Sequence, residues 1–165
     1  MLKFNRIKLL NCFFYLFSII IIVNFFSNIF LFSFNFPFYD DYSVELDFIN
    51  RFIKEPDYIN KIKIFFEQVN EHRLLYNRII VLINYLFWGE LNFKVYTIFG
   101  NLSLLLIFYL VLSSTKKENT LIYYFLPIPF LLFNFRFHEI IFWPGASMAN
   151  LHILVFMVLS FKFLY

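Results

Sequence analysis

The chain has 165 residues, of which 61% are hydrophobic and 25% aromatic, and its mean hydropathy is +0.71. Soluble domains are about half apolar, so the composition excludes one and describes an integral membrane protein. The net charge of +3 is small and dispersed, which excludes a nucleic-acid footprint, and a single cysteine, Cys12, excludes a disulfide or a thiolate metal site.

Residues 9–36 form the first predicted span. No charge interrupts Leu9 to Phe36, and a bilayer needs only about 20 apolar residues. Lys3, Arg6 and Lys8 precede the run, as in a signal peptide. The run is about twice as long as a signal core, however, and no small-residue cleavage pattern follows it, so it is expected to stay in the protein. Residues 37–92 form a polar loop that holds nine of the eleven acidic residues between Asp40 and Glu90. Pro56 divides it. Before Pro56, Phe48, Ile49, Phe52 and Ile53 share one helical face, with Glu45, Asp47, Arg51 and Lys54 elsewhere. After it, Asp57 can cap a second helix with the stripe Tyr58, Ile62, Phe65, Phe66 and Val69. Both read as amphipathic helices resting on the membrane surface. Residues 74–88 read as a helix in the interface or re-entering from one side, because Arg73, Asn77, Arg78 and Asn84 recur along it.

Further spans are predicted at 93–114, at 120–135, which is short and contains Pro127 and Pro129, and at 140–162. The expected fold is therefore an all-α membrane protein with about four transmembrane helices and juxtamembrane helices in the first loop. The positive-inside rule puts Lys3, Arg6, Lys8, Lys116, Lys117 and Lys162 in the cytoplasm. It puts residues 37–92 and Arg136–Asn150 outside. The apolar ending Phe161-Lys162-Phe163-Leu164-Tyr165 reads as the edge of a span, which suggests the N-terminal part of a longer protein.

Three polar groups are candidates for chemistry. Asp40 and Asp41 stand where the first span meets water. A carboxylate at a partly dry interface suits a general base, although capping and a charged span boundary would also explain the pair. Asn70-Glu71-His72-Arg73 places a carboxylate, an imidazole and a guanidinium just before an apolar helix, and Arg78 follows five residues after Arg73. Arg binds phosphate bidentately and keeps its charge at any relevant pH, but such clusters also anchor to lipid headgroups. His138-Glu139 and the segment Trp143-Pro144-Gly145-Ala146-Ser147, with Asn150 and His152, form the third group. It is expected on the same side as Asp40-Asp41, and ionisable groups at membrane depth are functional candidates. The histidines and carboxylates have no metal-ligand spacing, and no cofactor is implied. No phosphate-cradling glycine loop or nucleophile elbow is present.

Several motifs stand in a telling order: Tyr39-Asp40-Asp41, the helices around Pro56, Asn70-Glu71-His72-Arg73, Leu86-Phe87-Trp88-Gly89-Glu90-Leu91-Asn92-Phe93 and the polar segment His138–Asn150. In that order the chain resembles the membrane-embedded glycosyltransferases of the GT-C class. The likeness is to the family-39-like and protein-mannosyltransferase-like enzymes and to bacterial relatives that carry an Asn-Glu-His-Arg block. The His-Pro-Pro-type motif of better-known members is missing, and Asn-Glu-His-Arg stands roughly in its place. The resemblance implies a polyprenyl-phosphate-linked sugar donor and transfer on the outer face of a bacterial plasma membrane. The acceptor would be a glycan, a lipid or a protein. Asp40 or Asp41 would be the general base, and Arg73 and Arg78, with Glu71, His72, His138 and Glu139 nearby, would bind substrate and the departing phosphate. Two other readings compete: a non-enzymatic polytopic partner of polysaccharide polymerisation or export, and a transporter, which would predict inverted repeats.

Overall fold

A computed structural model describes residues 2–69, 74–117 and 122–164. It is 82% helical, with no strand among the described residues. Helix α1 (Leu2–Phe32) contains neither glycine nor proline, so nothing interrupts its hydrogen-bond ladder. It stops four residues short of the predicted end at 36. Asn35 leaves the helix and its Oδ1 accepts the Phe93 backbone N–H at 2.8 Å, satisfying an orphan donor at the start of a distant helix.

A 3-10 turn (Tyr39–Tyr42) leads into α2 (Glu45–Lys54) and α3 (Tyr58–Phe66). Asp57 caps α3 as expected, its carboxylate accepting from Ile59 and Asn60 N–H. The apolar face of α2 does not face outward. Phe48 and Ile49 are buried with Val81, Tyr96 and Met148, so this face packs inside the protein.

Helix α4 (Leu75–Trp88) is 14 residues long, about 21 Å, against the ~30 Å of a hydrocarbon core. Gly89 ends it with φ +72°, a left-handed cap that glycine adopts without strain. The polar residues that suggested an interfacial helix, Asn77, Arg78 and Asn84, are buried. Asn84 exchanges two hydrogen bonds with the backbone of Asn92, at 3.0 and 2.9 Å. Asn92 in turn accepts from Val95 N–H and so caps α5 (Phe93–Lys117). One short asparagine relay thereby fixes the turn between α4 and α5.

Among the described residues, three helical stretches are long and apolar enough to cross a membrane: Ile7–Phe32, Phe93–Ser114 and Pro144–Leu164. The span predicted at 120–135 is not one helix. Thr120 and Leu121 lie outside the described residues, and the remainder is a 3-10 turn (Ile122–Phe125) followed by α6 (Pro127–Leu132). Pro127 opens α6 and Pro129 sits in its first turn, where a missing N–H is tolerated. Neither could sit inside a longer helix without breaking its ladder. The span predicted from 140 begins instead at 144. Helix α7 (His138–Phe142) ends at Trp143, because Pro144 cannot donate to the Ile140 carbonyl. The chain then restarts as α8 (Pro144–Ala146), a π-helical turn (Ser147–Leu151) and α9 (His152–Leu164).

Helices α5 and α9 run in the same direction. Ser147 lies against Gly100 near the start of both, and Lys162 Nζ donates to Ser113 Oγ at 2.7 Å near their ends. Residues 122–142 carry the chain back between them. They run beside α1, with Phe17 on Phe130 and Phe25 on Phe133 at centroid distances of 4.9 and 5.6 Å. A core of Phe14, Phe25, Ile29, Leu104, Ile107 and Phe133 joins these elements. Among the described residues, the loop helices, the Asp40-Asp41 turn and the break at Trp143 all gather at one end of the bundle.

Candidate functional site at the exit of the first helix

The site is built on strained backbone. Tyr39 has φ +46°, the only positive φ on a non-glycine among the described residues. That conformation costs about 1–3 kcal/mol and persists only where the surroundings enforce it. The Tyr39 ring stands 5.1 Å from that of Trp143, and the Asp41 carboxylate closes the turn by accepting from Phe38 N–H.

Asp41 is 1% exposed. Its Oδ2 accepts from Phe38 N–H at 2.9 Å, which closes the 3-10 turn on itself. Its Oδ1 accepts from the Trp143 indole N–H at 2.9 Å and the Gly145 N–H at 3.0 Å. The Gly145 N–H is available because the helix is broken before it. Its ordinary partner, the Ile141 carbonyl, is taken by Asn101 Nδ2 at 2.8 Å. Two side chains from distant helices thus satisfy the backbone groups that the break releases, as a buried helix end requires. Gly145 also admits the approach: a Cβ there would run into Asp41 Oδ1 and stand 3.0 Å from Glu45 Oε1.

Glu45, in the first turn of α2, is a second buried carboxyl, 3% exposed. Burial first, and then repulsion from Asp41, push its pKa up to about 8. Burial also raises Asp41, against the lowering effect of its bonds to Phe38, Trp143 and Gly145. Near neutrality Glu45 therefore keeps its proton. Asp40 is exposed, and its backbone carbonyl accepts from Ser43 and Val44 N–H. The adjacent acids are thus unlike: Asp41 is enclosed by donors, while Asp40 is open to whatever reaches the surface.

Arg78 is 5% exposed. Its Nη1 donates to the Phe65 and Glu67 carbonyls at 2.7 and 2.6 Å, groups left unpaired at the C-terminal end of α3, and its guanidinium stands 5.0 Å from the Phe48 ring centroid. Only its Nε is buried without a partner. Arg78 lines a cleft of about 240 Å³ with Arg51, Glu67 and Ser43, the last just beyond the Asp40-Asp41 turn. Glu71, His72 and Arg73, with Asn70, lie outside the described residues. His138 and Glu139 are exposed in the first turn of α7, and no hydrogen bond or ion pair joins them to Asp40 or Asp41 among the described residues. Among the described residues, no cluster of three or more His, Cys, Asp or Glu could hold a metal.

The structure thus brings Asp41 together with Trp143 and Gly145, leaves the adjacent Asp40 exposed, and places Arg78 in a neighbouring cleft. Sequence reasoning missed Glu45 and Asn101. The spacing of four between Asp41 and Glu45 was a signal available for the first. Nothing local marks Asn101, whose partner lies 40 positions away.

Comparison with protein-family models, with curated proteins and with solved structures finds no match. The class that the fold itself defines is an all-helical membrane protein with three helices able to span among the described residues.

Proposed function

We propose that the chain belongs to a membrane-embedded glycosyltransferase of GT-C type, which transfers a sugar from a polyprenyl phosphate to a cell-envelope acceptor. In this reading residues 122–142 are a fourth, broken crossing. The N-terminus is in the cytoplasm of a bacterial cell, and the Asp40-Asp41 end faces outward. The observation that supports it best is the asymmetry of the acidic pair: an exposed Asp40 on a turn that Asp41 holds rigid.

Asp40 would accept the proton of the acceptor hydroxyl as that oxygen bonds the anomeric carbon. The bond from that carbon to the phosphate oxygen breaks, its electron pair leaving with the polyprenyl phosphate. Charge grows on this phosphate in the transition state, so a guanidinium from Arg73 or Arg78 would stabilise the transition state more than the ground state. The leaving group is already a phosphate, so the sugar needs no nucleotide to activate it. Glu45, holding its proton, would keep a second negative charge out of the buried site.

The test is sugar transfer by the full-length protein carrying Asp40→Asn or Asp41→Asn. Asp40→Asn should abolish transfer with insertion and folding intact, whereas Asp41→Asn should lose activity together with stability. Full transfer by both variants would sink the reading.

A further inference from the structure

Helix α3 has two unlike faces. Ile64 and Phe65 pack inward with the cluster around Phe48, whose ring lies 6.3 Å from that of Phe65. On the other side, Tyr58, Ile59, Ile62 and Phe66 are 81, 64, 60 and 60% exposed. At 3.6 residues per turn these four fall within one arc of about 100°. Lys63 borders the arc on one side; on the other come Phe65 and then Lys61, whose Nζ stands 5.5 Å from the Phe52 ring centroid. No residue of α3 is buried, whereas α2 hides Phe48 and Ile49. Of the two loop helices, α3 is the one that shows its apolar face outward.

We propose that α3 lies in the headgroup layer of the bilayer, with Tyr58, Ile59, Ile62 and Phe66 at the acyl boundary and its lysines on acidic phospholipids. Three observations favour lipid as the occupant. The chain is a membrane protein, so a bilayer surface is always adjacent. Helix α4, which packs against α3, also exposes apolar side chains, Ile79, Ile83, Leu86 and Phe87, so both neighbouring helices present apolar surface outward. The charge also fits. Lys54, Lys61 and Lys63 surround the stripe, while the acids beside it are engaged: Asp57 caps α3, and Glu67 pairs with Arg51 at 2.6 Å. Lysine stems can lie along an apolar surface while their ammonium groups reach the headgroups. Arg78 ties the end of α3 to α4, and Phe65 ties α3 to α2. Docking of α3 therefore sets the depth of α2, whose first residue is Glu45. This inference goes beyond glycosyl transfer and does not depend on it.

The test uses the full chain with Cys12→Ser and one added cysteine, Tyr58→Cys, Ile62→Cys or Asn60→Cys, bearing an environment-sensitive fluorophore. The protein is reconstituted in phosphatidylcholine vesicles, with or without phosphatidylglycerol, and quenched by phospholipids bearing a shallow nitroxide. Labels at 58 and 62 should be blue-shifted and quenched, and the label at 60 should be neither. Phosphatidylglycerol should deepen the quenching. Lys61→Gln and Lys63→Gln should each lower the docked-to-undocked ratio in acidic vesicles about fivefold. Unquenched, water-exposed labels at 58 and 62 would overturn docking, as would equal quenching at 60. Disulfide formation between copies at 62 without lipid quenching would identify a second copy as the occupant instead. Quenching indifferent to phosphatidylglycerol and to both lysine changes would overturn the recognition of acidic lipid.

Discussion

The indole of Trp143 donates to the carboxylate of Asp41 at 2.9 Å across 102 positions of sequence. The bond joins the turn after the first span to the break before the last one. Gly145 N–H reinforces it on the same oxygen, so the two ends of the bundle's polar segment are clasped through one atom.

This clasp predicts a stability loss that local structure would not. Trp143→Phe keeps an aromatic ring but removes a donor to a buried carboxylate, a change worth about 1.5–3 kcal/mol. Gly145→Ala forces a methyl group into Asp41 and Glu45 and should cost about 1–3 kcal/mol. Both should lower the unfolding midpoint in detergent without preventing membrane insertion. A wild-type midpoint for Gly145→Ala would contradict the close approach.

Glu45 predicts a pH dependence of defined sign. Its folded pKa of about 8 lies above the ordinary 4.5, so the native state binds more protons than the unfolded state between those values. Stability must then fall as pH rises through that window, with the full contribution retained below about pH 4.5 and none left to lose above about pH 8. Asp41, also raised by burial, acts in the same direction. The fall is on the order of a few kcal/mol. Unfolding midpoints measured from pH 5 to 9 (a range set by the linkage relation) should decline for the wild type and flatten for Glu45→Gln. A parallel decline in Glu45→Gln would show that another group is responsible.

Arg78 predicts a local effect. Arg78→Ala would leave the Phe65 and Glu67 carbonyls without a donor, at about 1.5–3 kcal/mol for bonds to a charged group. Hydrogen exchange should accelerate in α3, while α5 and α9 keep their protection. Arg78→Lys, whose ammonium can donate to carbonyls but lacks the planar guanidinium that lies by the Phe48 ring, should recover only part of the loss. Unchanged exchange in α3 would mean that Arg78 does not hold the helix end and is free for a ligand.

The residues most visible in the sequence were those whose role is local. The uncharged run from Leu9 and the helix from Phe93 could be read directly, because a spanning helix satisfies its backbone within itself and needs only side-chain hydropathy to place it. The cap at Asp57 and the apolar face Phe48-Ile49 were legible for the same reason. The polar residues were not. Asp40 and Asp41 look identical in the chain, and only packing against Trp143 and Gly145 makes one enclosed and the other open. Arg78 and Asn84 read as an interfacial pattern, yet both are buried, because α3 presents open carbonyls to one and the backbone of Asn92 pairs with the other. The proline at 144 marks a helix break, but not that Asp41 and Asn101 would supply the bonds it frees. Hydropathy alone thus marks the long helices that are apolar enough to cross a membrane. Which polar group is buried, protonated or free depends on donors and acceptors brought from tens of residues away, and only the tertiary structure decides that.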